Sequence, residues 1–125
     1  SKYNFRDYTI MIAEDTPYNY EYLYNILYRT GASIIWAKDG IDVLKLYNAS
    51  KVDLILMDIQ LPEISGYDAT VQIRSHNPTI PIIAQTAYAM ADEKQKCLES
   101  GCNEVLVKPI RIDDVLTTVA KYLLK

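Results

Sequence analysis

The chain has 125 residues, half of them hydrophobic and 23% charged, with a net charge of −3 at neutral pH. That size and composition make a single domain with a real core and exclude a disordered polymer. The acidic balance argues against direct nucleic-acid binding, and no apolar run approaches the roughly 20 residues that a membrane span needs.

Residues 1–7 lack a signal-peptide pattern and read as an N-terminal extension to a domain over 8–125, placed in the cytoplasm. Residues 8–13 (YTIMIA) predict a first strand. Thr16-Pro17 then supplies an N-cap and a first-turn proline for a helix that Gly31 ends. Residues 33–37 (SIIWA) predict a second strand, and Asp39-Gly40 precedes a helix with Val43, Leu44 and Tyr47 on one face. A third strand, residues 53–57, ends just before Asp58 and leads into a loop with Pro62 and Gly66. A helix over 67–76 follows, with Ala69 and Ile73 inward. Residues 81–86 (PIIAQT) predict a fourth strand, 90–100 a helix stopped by Gly101, and 103–107 (NEVLV) a fifth strand. The last helix places Ile112, Val115, Leu116, Val119 and Leu123 on a buried stripe. Cys97 and Cys102 fit neither a zinc half-site nor a redox motif and read as buried structural thiols; His76 reads as a solvated residue near a helix end.

Strict alternation of strands and helices with short connections implies a doubly wound α/β fold: a five-stranded parallel sheet, order 2-1-3-4-5, with five helices on both faces. The crevice of such a sheet lies at the carboxyl ends of strands 1 and 3, where the order reverses. Glu14-Asp15, Asp58, Thr86 and Lys108 all fall at carboxyl ends of strands. Three carboxylates in one crevice repel one another unless a cation joins them, and an all-oxygen donor set favours a hard ion, Mg2+ before Ca2+. A lysine and a hydroxyl beside them would cradle a phosphoryl group, which makes Asp58 a candidate nucleophile.

At these residues the chain resembles the receiver domains of two-component response regulators. The ordered set Glu14-Asp15, Asp58, Pro62, Gly66, Thr86 and Lys108-Pro109 carries the resemblance. It implies the flavodoxin-like form of this fold. Asp58 would take phosphate from a phosphohistidine of a histidine kinase or histidine phosphotransfer domain. Glu14, Asp15, Asp58 and the Gln60 carbonyl would hold Mg2+. Thr86 and Lys108 would bind the acquired phosphoryl group, and the Lys108-Pro109 bond would be cis. The runs at residues 85–90, 96–101 and 108–110 look most like receivers of hybrid histidine kinases.

Two positions depart from the family. Val105 stands where many receivers carry a switching aromatic, and Arg111 where an acidic or amide helix cap is common. Gln60 and Tyr88, each two residues past a site residue, are expected to border the path of attacking water and so to set the lifetime of the phosphorylated form. In the first helix, Tyr18, Tyr22 and Ile26 form a ridge beside the site that is expected to receive the phosphodonor; Tyr20, Tyr24 and Tyr28 form a second ridge that covers the core edge. The domain is expected to be monomeric. The rival readings are a pseudo-receiver that only binds partners, an aspartyl-phosphate hydrolase, whose D-x-D motif would need an acid where Gln60 stands, and a flavin- or nucleotide-binding domain, which would need a Gly-rich loop where Glu14-Asp15 follow strand 1.

Overall fold

A computed structural model describes residues 2–124. Five parallel strands, β1 (Thr9–Ala13), β2 (Ser33–Ala37), β3 (Leu54–Asp58), β4 (Ile82–Thr86) and β5 (Glu104–Val107), pair in the order β2-β1-β3-β4-β5. Between and after them run α1 (Pro17–Tyr28), α2 (Gly40–Ala49), α3 (Gly66–Arg74), α4 (Ala91–Ser100) and α5 (Ile112–Leu123). Side chains alternate across the sheet. Ile10, Ile12, Leu54 and Leu56 face α1 and α5, where Leu23, Leu27, Val115 and Val119 meet them. Met11, Ala13, Ile55 and Met57 face the other way, against Val43, Ala69, Ile73 and Cys97 of α2, α3 and α4. Residues of β3 and β4 are buried throughout, which explains the apolar runs at 54–57 and 82–84 and leaves Asp58, Gln85 and Thr86 as buried polar residues at their carboxyl ends.

Local chemistry sets the helix ends. The Asp39 and Ser65 side chains cap α2 and α3 by accepting from Asp42 N and Asp68 N. Gly31 and Gly101, with φ of 86° and 114°, end α1 and α4 in the left-handed region. Three details differ from the sequence reading. Thr16 begins α1 without a side-chain cap; its own N–H donates to Glu14 Oε2 at 3.1 Å. Asp58 is the last residue of β3 rather than the first beyond it. Ile112 is 52% exposed, because it starts α5 ahead of the turn that first reaches the sheet. The residues ahead of β1 are anchored on the same core: Phe5 is fully buried and its N–H donates to the Thr30 carbonyl at 2.8 Å. Both cysteines are buried and free, and His76 is exposed. Among the described residues no helix is long and apolar enough to cross a membrane.

Candidate functional site

Because the strands are parallel, their carboxyl ends share one edge of the sheet. Glu14 and Asp15 follow β1, Asp58 closes β3, Thr86 closes β4 and Lys108 follows β5. Glu14, Asp15 and Asp58 each offer a carboxylate oxygen, and these atoms all lie within 4.8 Å of one another. Glu14 and Asp58 are buried while Asp15 is exposed, so the cluster opens to solvent on the Asp15 side.

Lys108 ties the cluster together. Its Nζ donates to Glu14 Oε1 and to Asp58 Oδ2, each at 3.0 Å. Burial alone would lower the pKa of this ammonium, but its bonds to the two carboxylates outweigh that and hold it above the usual lysine value. Glu14 moves up as well, chiefly through burial and further through the Asp58 charge, against the opposing bond from Lys108. One cation cannot satisfy both acids. With Asp15 included, one ammonium faces three carboxylates and two negative charges stay uncompensated, a deficit that a divalent cation would match. The donors are all oxygens, as a hard divalent ion requires.

The backbone fixes the rest. Asp58 Oδ1 accepts from Gln60 N at 2.9 Å, which orients the carboxylate and sets Gln60 beside it. The Thr86 hydroxyl is buried and accepts from Tyr88 N at 3.0 Å, while the Thr86 carbonyl accepts from Lys108 N at 2.7 Å. The Lys108-Pro109 peptide bond is cis. Tyr88 is exposed at the rim.

Along the α1 ridge Tyr18 is 79% and Tyr22 41% exposed, but Ile26 is 8% exposed and belongs to the core. Ile26 lies three residues after Leu23 and one before Leu27, on the inward arc of the helix. The exposed part of the ridge is therefore Tyr18 and Tyr22. The second ridge is a ring ladder: Tyr20 stacks on Trp36 with centroids 4.0 Å apart, and Tyr24 stacks on Tyr28 at 5.4 Å.

Two further contacts complete the site, one at Gly66, which the sequence reading named without a physical role, and one at Trp36, which it did not connect with the site. A side chain at Gly66 would place its Cβ 2.3 Å from the Asp58 carbonyl oxygen, so the β3–α3 loop can return against the site strand only with glycine there. The Trp36 indole donates to the Glu14 carbonyl at 2.8 Å and buttresses the acidic pair from β2. Gly66 had a signal, its place in the ordered set that carries the resemblance; Trp36 had none.

Residues 10–120 match the response regulator receiver domain family. The chain is 37% identical over 116 residues to sensor histidine kinase RcsC of Salmonella typhi, covering 93% of this chain and 12% of that much longer protein. Among solved structures, the receiver domain of sensor histidine kinase PA1611 from Pseudomonas aeruginosa PAO1 has a magnesium ion coordinated in its active-site cleft. It superposes with a TM-score of 0.87 at 31% identity, covering 94% of this chain and 98% of that one. The receiver domain of the response regulator Ssk1 of Saccharomyces cerevisiae, solved with the histidine phosphotransfer protein Ypd1, has a TM-score of 0.87 at 29% identity over 92% of this chain and 88% of that one. By sequence and by fold, the chain belongs to the response regulator receiver domain family.

Proposed function

We propose that this receiver is a phosphoacceptor in a two-component phosphorelay, with Asp58 taking a phosphoryl group from a phosphohistidine on a histidine kinase or histidine phosphotransfer domain. One observation carries the reading: a single ammonium, Lys108 Nζ, stands 3.0 Å from both Asp58 and Glu14. Glu14 can keep the lysine in the site while its contact with Asp58 is exchanged for the incoming phosphoryl oxygens.

In the transfer, an Asp58 carboxylate oxygen attacks phosphorus and forms a P–O bond. The P–N bond to the histidine breaks, and its electron pair returns to the ring nitrogen. A carboxylate is a poor nucleophile towards an anionic phosphoryl group because like charges repel, so the site must supply positive charge. Lys108 supplies one, and the Thr86 hydroxyl donates a hydrogen bond. Glu14, Asp15, Asp58 and the Gln60 carbonyl would hold Mg2+, which when bound neutralises phosphoryl oxygens as a Lewis acid. The magnesium in the PA1611 receiver supports that assignment.

The acyl phosphate so formed hydrolyses readily, so the domain is a resettable signalling device and not a turnover enzyme. Gln60 and Tyr88 border the path of the attacking water and tune its rate. Tyr18 and Tyr22, exposed on α1, form the docking rim for the phosphodonor; the Ypd1–Ssk1 pairing supports a histidine phosphotransfer protein as that donor. The domain works as a monomer on the cytoplasmic side, without contacting nucleic acid or membrane.

The test is an intact-mass measurement after incubation with Mg2+ and phosphoramidate. The expected result is a gain of one phosphoryl group in the wild type and none in a folded Asp58→Asn variant. Labelling of Asp58→Asn at the normal rate, or no labelling of the wild type, would overturn the reading.

A further inference from the structure

Glu14 and Asp15 are consecutive, yet their carboxylates are held in opposite ways. Glu14 is buried, and Lys108 Nζ and Thr16 N each bond one of its oxygens. The Asp15 side chain is exposed and has no hydrogen bond or ion pair among the described residues. Its place in the cluster is therefore set by its backbone, which begins with the Glu14–Asp15 peptide. A peptide unit is planar, so a bond to the Glu14 carbonyl fixes the plane that carries Asp15 N and Cα.

The sheet does not supply that bond. Glu14 lies one residue past the last register pairs of β1, Ala13 with Ala37 and Ala13 with Met57, although its N–H still reaches the Ala37 carbonyl at 3.0 Å. Its carbonyl accepts instead from the Trp36 indole at 2.8 Å. The indole is held in turn. The Tyr20 ring of α1 stacks on it with centroids 4.0 Å apart and planes 7° from parallel, and Lys38 Nζ lies 4.8 Å from its ring centroid. A phenylalanine would also cover the edge strand β2; what the indole adds is a donor at the link between the two acids.

We propose that Trp36 is a positioning residue for the metal: its N–H holds the Glu14–Asp15 peptide in the orientation that brings Asp15 to Glu14 and Asp58, and Tyr20 holds the indole. The inference rests on the reading that these three carboxylates bind a divalent cation. They repel one another in the metal-free site, and Asp15 is the one with no bond to keep it there. Releasing the peptide lets Asp15 swing into solvent, so part of the metal's binding energy goes to bringing it back. Affinity then falls although every donor atom is still present.

Trp36→Phe removes the N–H and keeps a ring against Tyr20, whereas Tyr20→Leu keeps the N–H and removes the stack. Mn2+ is the probe, because its free ion is counted directly by electron paramagnetic resonance. Wild type, both variants and the double variant are melted in EDTA and titrated well below their melting temperatures, where a loss of stability alone leaves the affinity of the folded protein unchanged. Trp36→Phe should weaken Mn2+ binding about three- to tenfold, the worth of one neutral hydrogen bond. Tyr20→Leu should weaken it less, and should add nothing beside Trp36→Phe, because it acts through the indole. Wild-type affinity in either folded single variant would make the indole a cover for β2 and overturn the proposal. So would a Tyr20→Leu loss that persists undiminished in the double variant. A wild type that leaves Mn2+ free would sink the metal assignment itself, and the proposal with it.

Discussion

Replacing Lys108 with Met separates the electrostatics of the site from its chemistry. The substitution strands two carboxylates whose side chains are 1% and 8% exposed, Glu14 and Asp58. Removing one partner of a buried ion pair typically costs about 3–5 kcal/mol. Lys108 is itself 24% exposed, so water can partly replace it and the cost falls below that range, to about 2–3 kcal/mol. The loss should shrink in the double variant Lys108→Met/Glu14→Gln, because the second change removes one of the stranded charges. Urea unfolding in EDTA, followed by circular dichroism, measures each step of this cycle. A divalent ion should rescue Lys108→Met in part, by about 1.4 kcal/mol at tenfold over its dissociation constant. A Lys108→Met protein as stable as the wild type in EDTA would refute the view that this ammonium holds the two acids together.

The Trp36 indole reports on the acidic pair through its bond to the Glu14 carbonyl, so Mg2+ should change its fluorescence, and Asp15→Asn should weaken the apparent affinity at least tenfold, roughly the cost of one charged ligand. An Asp15→Asn titration that overlays the wild type would remove Asp15 from the donor set. Glu14 binds its proton more tightly folded than unfolded, so its contribution to stability is present below pH 4.5 and lost as pH rises through its raised folded value. In EDTA the wild type should thus lose more stability than Glu14→Gln as pH rises above 4.5, and parallel curves from the two proteins would contradict this. Tyr88→Ala should shorten the life of the phosphorylated form by exposing the acyl phosphate; an unaltered decay rate would leave Tyr88 a solvated rim residue. Tyr22→Ala, alone or with Tyr18→Ala, should slow transfer from a protein donor while leaving phosphoramidate labelling nearly unchanged. Equal slowing with both donors would point to a damaged fold.

Most of the architecture was legible because each strand is buried on a predictable face and each helix carries its own stop. Leu54 to Met57 could hardly be anything but a central strand, and Gly31 and Gly101 end helices for a backbone reason that no neighbour alters. The positions of Glu14, Asp58, Thr86 and Lys108 followed from topology alone, since parallel strands bring their ends together. Periodicity failed where it does not know how far the sheet extends: Ile112 fits the apolar stripe yet overhangs the core, and Ile26 fits the ridge yet lies on the inward arc. Interactions through the main chain were out of reach for a different reason. The Trp36 bond to the Glu14 carbonyl and the Gly66 contact with the Asp58 carbonyl depend on where a backbone passes, which residue types do not encode.

If phosphorylation of Asp58 shifts a two-state equilibrium at the β4–α4 face, as the family resemblance implies, the shift has to work with Val105, half-buried against the α2–α4 core, in place of an aromatic. A route remains through the main chain. A hydroxyl can accept one hydrogen bond while donating another, so Thr86 can donate to a phosphoryl oxygen and still hold Tyr88 N, which it accepts at 3.0 Å. A shift of Thr86 towards the phosphoryl group therefore pulls on residues 87–90, the exposed link between β4 and α4. The helix is not free to follow as a rigid body, because it is tethered to α3. The Tyr67 hydroxyl donates to Glu93 Oε1, and the Lys96 ammonium lies 4.3 Å from the Tyr67 ring centroid. With Glu93 in the first turn and Lys96 in the second both held by Tyr67, a pull from residues 87–90 favours rearrangement of the loop ahead of that first turn over translation of the whole helix. That turn follows Tyr88 and Met90, 48% and 68% exposed, whose positions a partner can read directly. Under that premise the missing aromatic would move the signal from the β5 surface to the β4–α4 loop without abolishing it.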